Sequence, residues 1–241
     1  MRRRRVIPAE SWPSDVGGLF SLRPSVQASD GSHTFAVREL DLESDETILQ
    51  AVMTFPDTTG KVPGDGFNPD GYTSVLLTDD RGRQVSGGRI VGWTPAGTEN
   101  AFLATIEAGK LPSDASTLFI TPLREVQVAP IALPRDRPVT VETSIGPVTI
   151  SPPQFDADKT VVSVTGDFAT YRGQAMQTFS LWWRTGNGMD ACPAPQVVPA
   201  AGNPGRLSLV LPHLDPSRTY ELGITRFVPA GDLEVKVKVG Q

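Results

Sequence analysis

The stretch Asp45–Phe55, DETILQAVMTF, recurs in modified form as Asp158–Phe168, DKTVVSVTGDF, 113 positions further along the chain. In the first copy Leu49, Ala51, Met53 and Phe55 fall on alternate positions, and the second copy has the same spacing. Successive side chains of a β-strand point to opposite faces, so a period of two predicts a strand with one buried face. This stretch predicts an all-β fold and an internal repeat.

The repeat continues on both sides of this strand. Ser74–Leu77 matches Ser180–Trp183 at a displacement of 106, and Leu103–Thr121 matches Leu207–Thr225 at a displacement of 104. Two units of roughly 105 residues, each with six or seven strands, have the size of immunoglobulin-like sandwiches. We therefore predict two tandem antiparallel β-sandwiches.

Alternating runs between Gly, Pro and Asp loops predict twelve strands. The strands of the first unit are Thr34–Leu42, Thr47–Phe55, Tyr72–Asp79, Gln84–Trp93, Ala101–Ile106 and Thr117–Leu123. Those of the second unit are Val139–Ile150, Thr160–Phe168, Thr178–Thr185, Arg206–Leu211, Thr219–Phe227 and Leu233–Val239.

Composition agrees with this reading and sets the domain limits. The 241 residues include 23 Gly and 22 Pro, a density that leaves little room for long helices. Residues 1–30 lack a sustained period and predict a flexible N-terminal arm. The Pro-rich segment from Val128 to Pro138 predicts a linker. The expected domains are therefore 31–130 and 131–241.

Charge and hydropathy limit the classes of partner and the location. The net charge is −5 although Arg2–Arg5 form a basic run, so the folded body is acidic and unsuited to nucleic acid. No apolar stretch has the length of a membrane span, and Pro8 and Glu10 interrupt any signal-peptide core after the Arg run. We expect no membrane insertion and no signal peptide. We favour a location outside the cytoplasm, at the cell surface, or in a virion.

One segment resembles a known family. Leu214–Tyr220, LDPSRTY, resembles the corner between two strands of fibronectin type III and related immunoglobulin-like domains, where a Tyr hydroxyl binds the backbone upstream. The resemblance implies that Tyr220 makes this bond and that Trp183 is the core Trp. The first unit departs from the pattern, because Ser116 stands at the position of Tyr220 and Leu77 at that of Trp183.

The tandem layout is also similar to the extracytoplasmic immunoglobulin-like regions of some bacterial surface or membrane-anchored regulatory proteins. A likeness of fold does not by itself assign a function.

Motifs for catalysis are missing from the sequence. It lacks Gly-x-Ser-x-Gly, a phosphate-binding Gly-x-x-x-x-Gly-Lys and His-Glu-x-x-His, so we predict no enzyme, no catalytic residue and no cofactor. A glycoside hydrolase would need a carboxylate pair from Asp65, Asp70, Asp156, Asp158 and similar residues. The loop that holds Asp57, Asp65, Asn68 and Asp70 has two interpretations. Its oxygen-bearing side chains could bind calcium, or they could simply form turns, which have the same composition.

The adjacent tryptophans give the candidate contact surface. If Trp183 points into the core, Trp182 points outward together with Arg184. An outward Trp182 could be covered by its own chain, contact a protein partner or stack on a sugar. We expect a non-enzymatic structural or interaction protein of the cell envelope, a virion or a filament, with a protein partner or self-assembly. A glycan-binding module that uses Trp182 is the alternative.

Overall fold

The computed structural model describes residues 5–6, 20–56, 69–97, 100–185 and 188–239, and these residues form an all-β, sandwich-like protein. The first two strands of the chain pair in parallel. The main strand pairs of both units are antiparallel. Within the described ranges, no helix is long and apolar enough to cross a bilayer. The prediction of an all-β fold is confirmed.

The chain divides into two compact units. Unit 1 combines Met1–Arg124 with Val228–Gln241, and unit 2 is Glu125–Phe227. These limits differ from the expected domains 31–130 and 131–241, because the last strand of the chain packs in unit 1. The division falls inside two strands, Thr117–Ala132 and Tyr220–Pro229.

Besides the last two residues of the strand Tyr220–Pro229, unit 1 contains eleven strands, in part or in full, among the described residues. They are β1 (Arg5–Val6), β2 (Phe20–Leu22), β3 (Val26–Ser29), β4 (Thr34–Leu42), β5 (Glu46–Thr54), β6 (Tyr72–Asp79), β7 (Gln84–Val85), β8 (Gly87–Pro95), β9 (Ala101–Gly109), the start of β10 (Thr117–Ala132) and β22 (Val235–Lys238). Two short 3-10 helices, Pro69–Gly71 and Gly231–Leu233, precede β6 and β22.

The strands of unit 1 share one hydrophobic core. They follow the order β2-β4-β5-β9-β8-β6-β10, β3 pairs with β4, and β22 pairs with β10 and lies against β3. On β5, Thr47, Leu49, Ala51 and Met53 are buried and the residues between them are only partly buried, as the period of two predicts. The core also includes Leu233, Val235, Val237 and Val239 from the end of the chain.

Carboxylates close the turns at one end of unit 1. Asp79 is buried and accepts hydrogen bonds from the backbone N–H of Arg81 and from the N–H and Nε of Arg83, at 2.9, 2.8 and 2.6 Å. Asp80 accepts from the N–H and the hydroxyl of Ser116, at 3.0 and 2.9 Å. The Ser116 N–H, followed by its hydroxyl, lowers the pKa of Asp80 to about 2. An aspartate therefore holds Ser116, which stands at the place of Tyr220 in unit 2.

Unit 2 contains the end of β10, most of β21 and all strands between them. These are β11 (Val139–Thr143), β12 (Gly146–Ile150), β13 (Gln154–Phe155), β14 (Lys159–Thr165), β15 (Thr170–Tyr171), β16 (Gln174–Ala175), β17 (Gln177–Thr185), β18 (Gly188–Ala191), β19 (Gln196–Ala200), β20 (Asn203–Pro212) and β21 (Tyr220–Pro229).

Two sheets enclose the core of unit 2. One has the order β11-β12-β14-β20-β19 with β13 on β14, and in the other β21 lies between β10 and β17, with β18 at the edge. The core includes Val162 and Val164 from β14, Leu207 and Leu209 from β20, and Phe168. No residue of unit 1 belongs to this cluster. Each unit therefore has its own hydrophobic core, as the two copies of the repeat predict.

The units share a strand order. The path β4-β5-β9-β8 of unit 1 corresponds to β12-β14-β20-β19 of unit 2, and the neighbours β6 and β10 correspond to β17 and β21. The displacements between β5 and β14, between β6 and β17, and between β9 and β20 follow those of the sequence repeat. Each of the twelve predicted strands overlaps an observed strand, although Gln84–Trp93 and Val139–Ile150 each cover two.

Three details of the sequence prediction were wrong. Phe20–Leu22 and Val26–Ser29 are strands paired with β4, and Leu22 is buried, so the arm predicted for residues 1–30 does not extend to residue 30. The predicted linker continues β10 as far as Ala132, because Val128 and Ile131 enter the core of unit 2. Val139–Ile150 is a hairpin of β11 and β12.

A chain that ends at Asp232 should lose the structure of unit 1 and keep that of unit 2. The deletion removes four buried apolar side chains, each worth about 1.5–3 kcal/mol, which together approach the stability of a whole domain. Hydrogen exchange followed by mass spectrometry measures both units. Lys238→Ala, on the exposed face of β22, is the control. Unchanged protection of β4, β5 and β9 after the deletion would contradict this assignment.

Candidate functional site

The corner before β21 has the geometry that its sequence predicts. Tyr220 is 3% exposed, and its hydroxyl donates a hydrogen bond to the carbonyl oxygen of Asp215 at 3.0 Å. Leu214 at the start of the corner is buried, and its N–H donates to the hydroxyl of Thr160 at 3.0 Å. The prediction that the Tyr220 hydroxyl binds the backbone is confirmed.

The Asp215 side chain organises the same corner. It accepts hydrogen bonds from the hydroxyl and the N–H of Ser217, at 2.6 and 2.9 Å, and from Nε of Arg218 at 3.2 Å. These donors, with the Ser217 hydroxyl first, lower the pKa of Asp215. The polar groups of Asp215 thus close a turn, and the turn presents the Arg218 guanidinium to Trp183.

Trp183 faces the core of unit 2, as predicted. Its ring packs against that core, and the Arg218 guanidinium carbon lies 3.4 Å from the ring centroid. The indole Nε1 is buried without a hydrogen-bond partner. Cys192 packs on the same core, and burial raises the pKa of its thiol. The arrangement is a packed corner with a cation over an aromatic ring.

Trp182 lies on the opposite face of β17 and is half-buried. Its ring contacts Gly223 of β21 so closely that a Cβ at position 223 would overlap ring carbons Cζ3 and Cη2. Glu221 of β21 and Ala191 of β18 stand opposite Trp182 in the two registers. Trp182 could be covered by its own chain, contact a protein partner or stack on a sugar. The close contact with Gly223 favours the first of these. The Arg184 side chain lies outside the described part of the structure.

Exposed apolar side chains are concentrated in unit 2. Among the described residues, the large hydrophobic side chains that remain exposed are Val91 in unit 1 and Val139, Phe155, Met189, Val197 and Val198 in unit 2. Met189 lies on β18 and the last two on β19, and these two strands end the two sheets of unit 2. All residues of β18 and the first four of β19 are exposed. These two edges are the clearest candidate contact regions.

A histidine-centred cluster in unit 1 was not predicted. His33 Nδ1 lies 3.0 Å from Asp30 Oδ2, and His33 Nε2 lies 3.2 Å from Asp70 Oδ2. The imidazole packs edge-on against the rings of Phe55 and Tyr72, with centroids 5.9 and 6.0 Å away. The contact joins the turn before β4 to the turn before β6, so its role is to hold two loops together. Local sequence could not have paired residues 33 and 70.

The candidate calcium loop is described only in part. Asp70 is described and faces His33, whereas Asp57, Asp65 and Asn68 lie outside the described residues. The search of the described ranges finds no group of three or more His, Cys, Asp or Glu side chains arranged to hold a metal ion. Of the carboxylates considered for glycoside hydrolysis, Asp156 and Asp158 belong to unit 2 and Asp70 to unit 1.

Comparison with known proteins gives little further information. No family model and no curated protein matches the sequence. Among solved structures, the chain is similar to a conserved domain protein from Bacillus anthracis, with 6% sequence identity and a TM-score of 0.30 over 91% of each chain.

Substitutions at the corner should separate its polar bond from its packing. Tyr220→Phe removes one hydrogen bond and should lower the free energy of unfolding by about 1–2 kcal/mol. Trp183→Ala should cost about 3 kcal/mol, the lower end of the range for aromatic truncation, because the ring is only half-buried. Denaturant titration measures both changes. A midpoint that hardly moves in Trp183→Ala would contradict the inward orientation of that ring.

Proposed function

We propose that the chain is a non-enzymatic structural or interaction protein built of two immunoglobulin-like modules. It would act on a bacterial cell envelope or as a component of a virion or filament. Unit 2 would provide the contact with a protein partner through the edge strands β18 and β19. The observation that carries the proposal is the exposure of the apolar side chains Met189, Val197 and Val198 on these edges.

The corner at Tyr220 supports an immunoglobulin-like origin of unit 2. The Tyr hydroxyl bonds to a backbone carbonyl five residues upstream, and Trp183 packs on the core from β17. Both features are those that the resemblance to fibronectin type III domains implies. Unit 1 shares the strand order but replaces the Tyr by the Asp80–Ser116 contact, so its assignment to the same class rests on the repeat.

The edges of unit 2 support a contact role. Exposed edge strands offer unpaired backbone groups to another chain, and natural proteins protect them with charged residues or proline. Strand β18 contains the charged residue Asp190, whereas β19 contains Pro199 and no charge. From Ala191 to Gly205 the sequence has no charged residue. An uncharged edge with exposed valines is therefore suited to binding another protein.

The location can be tested in the organism that encodes the protein. A tagged chain should fractionate with the envelope or with assembled particles and be accessible to external protease. A photo-crosslinkable residue at Val198 should give adducts with a partner, whereas the same residue at Val91, which is at least as exposed on unit 1, should not. Recovery of the chain only in the soluble interior, with no adducts from Val198, would contradict the proposal.

A glycan array separates the alternative function from this one. Binding of a sugar that Trp182→Ala abolishes and Phe155→Ala retains would favour a glycan-binding module. Phe155 is a suitable control because it is exposed in unit 2 on β13, which belongs to the other sheet. The interaction role predicts no saturable sugar binding by the wild type or by either variant.

A further inference from the structure

Strand β19 ends the six-stranded sheet of unit 2 and pairs on one side with β20, through Gln196↔Val210, Val197↔Leu209 and Val198↔Ser208. The other side has no pairing strand in the described part of the chain. Val197 and Val198, at 40% exposure each, project from the two faces of the strand. This edge can accept another strand.

The prolines beside β19 define which of its backbone groups point outward. A Pro within an edge strand directs its nitrogen away from the neighbouring strand, since it cannot donate to the ladder. Pro199 opposes Leu207 in the β19–β20 register, so its nitrogen faces outward, and Val197, two residues earlier, has the same orientation. Pro195 immediately precedes the strand. Of the two outward positions within β19, 197 and 199, only Val197 carries an N–H.

This arrangement is complementary to itself. In an antiparallel pair centred on Val197, each Val197 N–H donates to the Val197 carbonyl of the other strand, and Pro195 stands opposite Pro199. Moving the register by two residues would place Val197 opposite a proline, which has no N–H to return. The centred register is therefore the one in which both outward N–H groups are bonded.

Charge favours a second copy of the chain as the occupant. In a symmetric pair each residue meets its own copy, so a charged edge would repel itself. The stretch from Ala191 to Gly205 is uncharged, whereas the opposite edge strand, β11, contains Glu142 and follows Arg135, Asp136 and Arg137. Unit 2 has 8 basic and 9 acidic residues, a net charge of −1, so the remaining −4 of the whole chain belongs to unit 1.

We propose that β19 pairs with β19 of a second copy about a two-fold axis at Val197. The proposal rests on the function proposed above and specifies its partner. The two six-stranded sheets would then join across the axis. Because only a few residues pair, the buried area is small and the dimer should be weak.

Sedimentation equilibrium of the purified full chain from about 5 to 500 µM tests the proposal. The wild type should reach the mass of a dimer and stop there. Val197→Lys places a charge on the two-fold axis and should raise the Kd at least tenfold. Val91→Lys, a matched change at an exposed valine of unit 1, should leave the Kd unchanged.

Val197→Pro tests the backbone directly, because it removes the outward N–H without adding charge. It should abolish the dimer, while the thermal midpoint stays close to that of the wild type because no bond to β20 is lost. If this variant fails to fold, Val197→Lys decides. A wild-type monomer at 500 µM, growth beyond a dimer, or a dimer that persists in Val197→Lys would overturn the proposal. Val198 adducts formed in cells with a different protein would then still support the interaction role.

Discussion

The rest of the structure depends on one constraint: each sheet buries one face in a core that belongs to its own unit alone. The strands alternate because one side chain in two must leave water, and Ile106 and Leu209 mark the two interiors. Every buried residue of the first core belongs to unit 1 and every one of the second to unit 2. The turns, corners and edges are then free to differ between the copies.

The differences appear where the sequences of the copies diverge. Unit 2 ties its corner with the Tyr220 hydroxyl, and unit 1 ties the equivalent position with a carboxylate that accepts from Ser116. The first solution needs a large ring with a polar end, and the second needs a hairpin aspartate within reach. Both arrangements supply hydrogen-bond partners to backbone or hydroxyl groups at the start of a strand. The same architecture can therefore form without the tyrosine.

Much of the fold could be predicted from the sequence, because alternation is a local property. The strands and the Tyr220 bond follow from residues close together in the chain, and the repeat follows from comparing the sequence with itself. The failures are non-local: the packing of Val235–Lys238 in unit 1 and the meeting of His33 with Asp70 depend on which distant strands become neighbours. The exposed β19 edge was also missed, because QVVPA has no charge and no motif, and its exposure follows only from the order of strands.

Hydrogen exchange on two core variants tests the central claim, that the units have independent hydrophobic cores. Ile106→Ala and Leu209→Ala each remove a fully enclosed side chain and should cost about 2–5 kcal/mol. Independent cores predict that Ile106→Ala lowers protection in β4, β5, β9 and β22 but leaves β14 and β20 unchanged, and that Leu209→Ala does the reverse. Equal loss of protection throughout both units in either variant would show one shared core and contradict the account.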